Sequence, residues 1–170
     1  MPGFIDMHVH AFGNRAPDAP SDSPGIEAIS ARVLYAGVTG FLDLFGDEQI
    51  LLQTRERQRN GQYFGADVYT SLSCLTAPQG HCSEYGIPTR TLSSPKEAQA
   101  IVSELVALKT DAIKIIYQPS DDQPSINKQT FRAIVAAASS FKIPTIVHIK
   151  TWQEIRDAVE VGATAFTHLP

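Results

Sequence analysis

Five residues of this chain have types and positions that could do chemistry together. His8 and His10 stand two apart in "PGFIDMHVH". Lys114 sits among isoleucines in "DAIKIIY", His148 near the end of "TIVHIK", and His168 near the end of "TAFTHLP". In an extended strand, side chains alternate with period two. Asp6, His8 and His10 therefore share one face, and Ile5, Met7 and Val9 share the other. Imidazole is the commonest ligand of zinc and related metals, and two on one strand face can grip a single ion. A lysine amid isoleucines is costly to bury unless its charge is removed or paired.

The elements that must position these residues are read from the remaining pattern. Strand-like and helix-like runs alternate from end to end. The first strand spans about 3–10. It is followed by the Pro/Asp/Ser loop "APDAPSDSPG" and a helix, "IEAISARVLYAG", closed at Gly37. "VTGFLDLF", a helix closed by Gly61, and "YFGADVYTSLSC" follow. A long loop covers about 74–94. Ser94, Pro95 and Glu97 read as a capping box opening the third helix. "DAIKIIY" is the fourth strand and "IPTIVHIK" the fifth, with a helix between them. A second box, "TWQE", opens the last helix, and "ATAFTHL" is the sixth strand.

The expectation is an α/β fold of six parallel strands alternating with five helices, in one domain over 1–170. A (β/α)8 barrel and an open doubly wound sheet both fit that order. Neither GxGxxG nor GxxxxGK[ST] occurs, so dinucleotide and P-loop readings lose support. Lys114, His148 and His168 each lie toward a strand's C-terminal end. In parallel barrels that is where active sites form.

Composition narrows the function classes. Hydrophobic residues make up 43% and charged residues 19%, which is a globular balance. Net charge is −4, and the densest basic run, "RERQRN", reads as a solvated helix face. Nucleic acid and membrane surfaces are therefore not expected partners. Cys74 and Cys82 are too few for a disulfide framework and read as free thiols. No signal peptide or membrane span is legible, and the expected location is cytoplasmic.

"PGFIDMHVH", "DAIKIIY", "TIVHI" and "FTHLP" resemble, in order, the metal-strand motifs of the amidohydrolase superfamily. The stretch "LTAPQGHCSEYG" and the helix and strand after it are most similar to the imidazolonepropionase and Xaa-Pro dipeptidase-like branch. The resemblance implies a partial TIM (β/α)8-type barrel with one or two divalent transition-metal ions, with zinc favoured. His8 and His10 would bind the more buried ion, and His148 and His168 the second. Lys114, carboxylated, would bridge the two. A metal-activated hydroxide would attack a C–N bond of a small amide, dipeptide or cyclic amide, with Lys114 and His168 serving catalysis.

His81 and Tyr117 are the candidate substrate contacts. His81 lies on the long loop, and Tyr117 ends the strand that carries Lys114. Lys150 reads as a solvated rim lysine. The family's eighth-strand Asp has no counterpart here. Asp6 reads as structural, and Asp43 is the carboxylate that could reach the site. The sequence thus reads as a barrel lacking strands seven and eight and the accessory β-sandwich. It is either a piece of a longer hydrolase or a chain whose open edge a second copy closes. The alternative functions are a catalytically silent, metal-binding module of a longer enzyme, and a doubly wound sheet with unrelated histidines.

Overall fold

The computed structural model describes residues 2–11 and 25–170. The Pro/Asp/Ser loop before Gly25 lies outside the described residues. The chain forms two compact units, Met1–Ser73 and Cys74–Pro170.

The first unit holds β1 (Phe4–Val9), α1 (Gly25–Tyr35), β2 (Val38–Asp43), α2 (Glu48–Arg59) and β3 (Asp67–Thr70). Its sheet is parallel, in the order β1-β2-β3. Gly37 and Gly61 close the two helices at φ +93° and +69°, a conformation that favours glycine. Asp47 caps α2 by accepting from the amides of Gln49 and Ile50. Phe41, Leu44, Leu51 and Val68 form the core. β1 is bare: Phe4, Ile5 and Met7 are 59–65% exposed, so no described element covers them. The basic run on α2 is not wholly solvated, because Arg55 is buried, while Arg57 pairs with Glu27 of α1.

The second unit holds β4 (Cys74–Thr76), a 3-10 turn (Ser83–Tyr85), β5 (Arg90–Thr91), a second 3-10 turn (Pro95–Glu97), α3 (Ala98–Ala107), β6 (Ile113–Ile116), α4 (Lys128–Ser140), β7 (Thr145–His148), α5 (Trp152–Val161) and β8 (Ala165–Thr167). The sheet is again parallel, in the order β5-β4-β6-β7-β8. Ile113, Ile115, Val147, Leu75 and Phe131 are fully buried. The third strand region is two strands rather than one. Leu72 takes φ +65° between β3 and β4, which ends one strand before the next begins. The long loop also contains β5, tied by the Leu92 amide to the Thr76 carbonyl at 2.9 Å. The described residues therefore carry eight strands with the five expected helices.

The two capping boxes differ. Thr151 and Glu154 form the reciprocal pair at the start of α5. At Ser94 the hydroxyl instead donates to the Glu97 carboxylate at 2.7 Å, and Glu97 also accepts from the Ser93 amide. The first turn there is 3-10, and α3 proper begins at Ala98.

Candidate metal and catalytic site

In the first unit, the period-two reading of β1 holds. His8 and His10 lie on one face with their Nε2 atoms 3.2 Å apart. Two imidazole nitrogens that close share one proton or face one cation. The Asp6 carboxylate accepts from the His8 amide at 3.1 Å, a local backbone role. Asp43 is fully buried, with one oxygen accepting from the Ala11 amide (2.8 Å) and the other from the Phe45 amide (3.0 Å). Its carboxylate fixes the chain just after β1 and β2.

In the second unit, register decides which side chains share a face. Cys74, Lys114, Ile146 and Ala165 lie abreast in one row across β4, β6, β7 and β8. Ile116, His148 and Thr167 form a row nearer the C-terminal ends. Lys114 is 2% exposed, and its Nζ donates to Thr167 Oγ1 at 2.9 Å. Burial pushes its pKa down to about 8, against a weaker upward pull from the thiols of Cys82 and Cys74.

His148 follows in the next row. Its ring centroid lies 4.7 Å from that of His168 and 4.8 Å from that of His81. Its Nε2 is buried and has no hydrogen-bond partner. Burial first, then the nearby Lys114, His81 and His168, push its pKa down to about 2, so the ring is neutral. His168 is lowered for the same first reason. His168 reaches His148 by an irregularity. Alternation gives Thr167 the Lys114 face and turns the next residue away. A left-handed φ of +71° at His168 brings its ring back. For a residue with a Cβ this conformation is strained, and such strain concentrates at functional sites.

His81 joins the cluster from the loop after β4. Glu84 holds its Nδ1 at 2.6 Å, and Tyr85 packs edge-on against the ring at 5.9 Å. Gly80 seats the loop: a Cβ there would stand 2.5 Å from Thr76 Oγ1 and 2.6 Å from the Pro124 carbonyl.

Tyr117 does not join it. Its odd position places it opposite Lys114, toward the helices. Its hydroxyl donates to Asp157 of α5 at 2.7 Å, and its ring stacks on Phe131 of α4 at 4.6 Å. The expected substrate contact is instead a packing and hydrogen-bonding residue. Lys150 is an exposed rim lysine as read, paired with Asp121. Glu154 is 1% exposed and gathers two loops. One oxygen accepts from the Ser120 hydroxyl at 2.7 Å, and the other from the amides of Lys150 (2.6 Å) and Thr151 (2.9 Å).

No motif marks Thr167 or Glu84 in the sequence, and nothing there places Cys74 beside Lys114. Thr167 was recoverable, since alternation along "AFTHL" puts it, and not His168, on the inward face. Cys74 needed the β4–β6 register, which no local pattern encodes.

No protein-family model matches the chain. Solved structures do. A prolidase complexed with N-methylphosphonate-L-proline superposes with TM-score 0.81 at 24% identity, over 99% of this chain and 48% of that one. A Xaa-Pro dipeptidase with bound methionine gives 0.79 at 21%, over 97% and 47%. The A. niger ochratoxinase gives 0.80 at 20%, over 99% and 47%. The chain shares the fold of these three structures. It spans about half the length of each of them. The fold class is thus α/β of the partial (β/α)8-barrel kind.

Against that fold, the donor set can be weighed for a metal. Among the described residues no three His, Cys, Asp or Glu side chains are arranged to hold an ion. What the units offer is nitrogen donors in pairs: His8 with His10, and His148 with His168. His148 supplies a neutral ring and a buried Nε2 that no protein group satisfies. That chemistry fits a nitrogen-preferring divalent ion. No helix among the described residues is long and apolar enough to cross a membrane.

Proposed function

We propose that this chain carries the metal-binding strands of a hydrolase that cleaves a C–N bond in a small amide, dipeptide or cyclic amide. The observation that carries the reading is His148. Its neutral imidazole buries an unmet Nε2 between His81 and His168, one row above a buried lysine. A core histidine without a ligand role would turn that nitrogen to a protein donor or acceptor.

His8 and His10 would hold one ion, and His148 and His168 another, with zinc the ion that this donor set suits. Such ions supply Lewis acidity at the scissile carbonyl and a water made acidic enough to attack at neutral pH. Lys114 contributes the anionic ligand. Its depressed pKa leaves a neutral fraction whose Nζ can add to carbon dioxide, losing a proton to give a carbamate. Thr167 aims that nitrogen along the sheet face. His81, oriented by Glu84, presents its other nitrogen as a proton carrier for the leaving amine.

The reading is supported by fold likeness to a prolidase and a Xaa-Pro dipeptidase, which makes Xaa-Pro dipeptides the first substrates to try. A second reading, a metal-binding module without turnover, draws on the carboxylates. Asp43, Asp121, Glu154 and Asp157 are all engaged elsewhere by amides, hydroxyls or cations.

The test is metal content per chain on purified protein, with dipeptide hydrolysis assayed on the same sample. One or two zinc ions per chain, lost in H148A and in the H8A/H10A double variant, are expected. Zinc with turnover supports the hydrolase. Zinc without turnover supports the module. A folded chain that stays metal-free in zinc-supplemented buffer overturns both.

A further inference from the structure

Thr76 Oγ1, Gln118 Oε1 and His148 Nε2 are buried and meet no hydrogen-bond partner among the described residues. They lie on or just past three neighbouring strands, β4, β6 and β7, and register puts all three on the Lys114 face. His148 has a metal to meet in the site above. Gln118 has no such role, and buried acceptors are seldom left unmet.

The ladder places Gln118. Ile116 pairs with His148, and the Tyr117 amide donates to the His148 carbonyl at 3.1 Å, one residue past the end of β6. Alternation then returns Gln118 to the Lys114 face, one row beyond His148 toward the C-terminal rim. Its side chain is fully buried. Its backbone amide donates to Ser125 Oγ at 3.0 Å, which pins the chain there. The side-chain amide is fixed in one sense. Nε2 donates to Asp121 Oδ2 at 2.9 Å, and Lys150, bonded to the same oxygen, holds Asp121 below the usual carboxylate range. An ionised carboxylate only accepts, so Oε1 is the atom left over. Gln118 thus offers a held, desolvated acceptor.

We propose that Gln118 is a substrate-binding residue whose Oε1 accepts from the terminal amine of a dipeptide, so that the site selects a free α-amino group.

This role rests on the hydrolase reading and narrows its substrates. In an Xaa-Pro dipeptide the scissile nitrogen belongs to the proline ring and carries no hydrogen. The terminal ammonium is therefore the nitrogen donor that every such substrate has. The acceptor is already stripped of water, and a hydrogen bond to a charged group is among the stronger ones. An analogue without that donor gains nothing at Gln118.

The experiment titrates the full chain, in zinc-supplemented buffer, with glycyl-L-proline and with propionyl-L-proline, in which a methyl group replaces the ammonium. Affinity is read by NMR, or as kcat/KM where a peptide is turned over, with zinc content measured on the same sample. Glycyl-L-proline is expected to be preferred about tenfold and to shift the Gln118 side-chain amide resonances. Q118M is expected to abolish the preference by weakening glycyl-L-proline alone. Equal affinity for both peptides, or a Q118M loss shared by both, overturns the role of Gln118 and leaves the hydrolase reading standing. If Q118M fails to fold, the wild-type resonances decide: a Gln118 amide that glycyl-L-proline does not shift overturns the role. A zinc-loaded chain that neither binds nor cleaves either peptide overturns both the role and the dipeptide reading.

Discussion

The Lys114 amine reaches past β7 to the Thr167 hydroxyl of β8, 2.9 Å away. The same hydroxyl lies 3.4 Å from the Val147 carbonyl, to which it donates. Thr167 is thus a relay between a buried amine and a backbone acceptor on the strand it bridges. Replacing it with Val keeps the shape and removes the partner. A buried donor left unmet costs about 1–3 kcal/mol, more when charged. T167V is expected to lose about that much stability in urea unfolding, and T167S to recover most of it. Equal loss in both would mean that the methyl packing, and not the hydroxyl, matters.

Stability should rise with pH in two separate windows. Lys114 has a folded pKa of about 8 against 10.5 in a free chain, so between those values the unfolded state holds more protons. Raising the pH through that range removes a penalty of up to about 3 kcal/mol. His148 acts on the acid side. Its folded pKa of about 2 lies below 6.5, so stability falls as pH drops below 6.5 and the unfolded ring alone takes up a proton. Chemical denaturation across pH, on metal-free protein in carbon-dioxide-free buffer, checks both. K114M should flatten the alkaline window, and H148N the acidic one.

Gly80 leaves no space for a methyl group. G80A would press its Cβ against Thr76 Oγ1 and the Pro124 carbonyl, the latter being backbone. A cost of about 1–3 kcal/mol is expected, as for other overpacked sites. The shift should centre on the His81 loop, so the His81 ring resonances should move more than those of His8 or His10. Unchanged His81 resonances would contradict the seating role.

Lys142 follows α4 at φ +59°, and its amide bonds the Ser139 carbonyl at 2.9 Å. Glycine normally fills such a position because it lacks the Cβ clash. K142G is expected to raise stability by about 0.5–1 kcal/mol, visible as a higher unfolding midpoint. A lower midpoint would mean that the lysine side chain contributes more than its backbone strain costs.

Much of the architecture was legible because it is local. Apolar runs of strand length alternate with amphipathic runs of helix length, and Gly37, Gly61 and the Thr151–Glu154 box mark ends by short-range chemistry. What was hidden depends on geometry that no neighbour in sequence dictates. Leu72 breaks a strand with a φ that leucine rarely takes. β5 exists only through its pairing with β4. Exposure of Ile5 and Met7 is set by what lies over β1, and an apolar alternation reads the same covered or bare. The site divides in the same way. The His8–His10 face followed from period two, as did the Lys114 face, and the same rule applied to Tyr117 sends it to the helices. His168 broke that rule through one backbone angle.

Glu154 gives the loops after β6 and β7 a shared fate. Ser120 belongs to one, Lys150 and Thr151 to the other, and a single buried carboxylate holds all three. Anyone recombining this scaffold would find that these loops are inherited as a pair. A β6 loop transplanted from another barrel without a hydroxyl donor in place of Ser120 would leave that buried carboxylate short of a hydrogen bond at the start of α5. The unit of exchange here is larger than the loop.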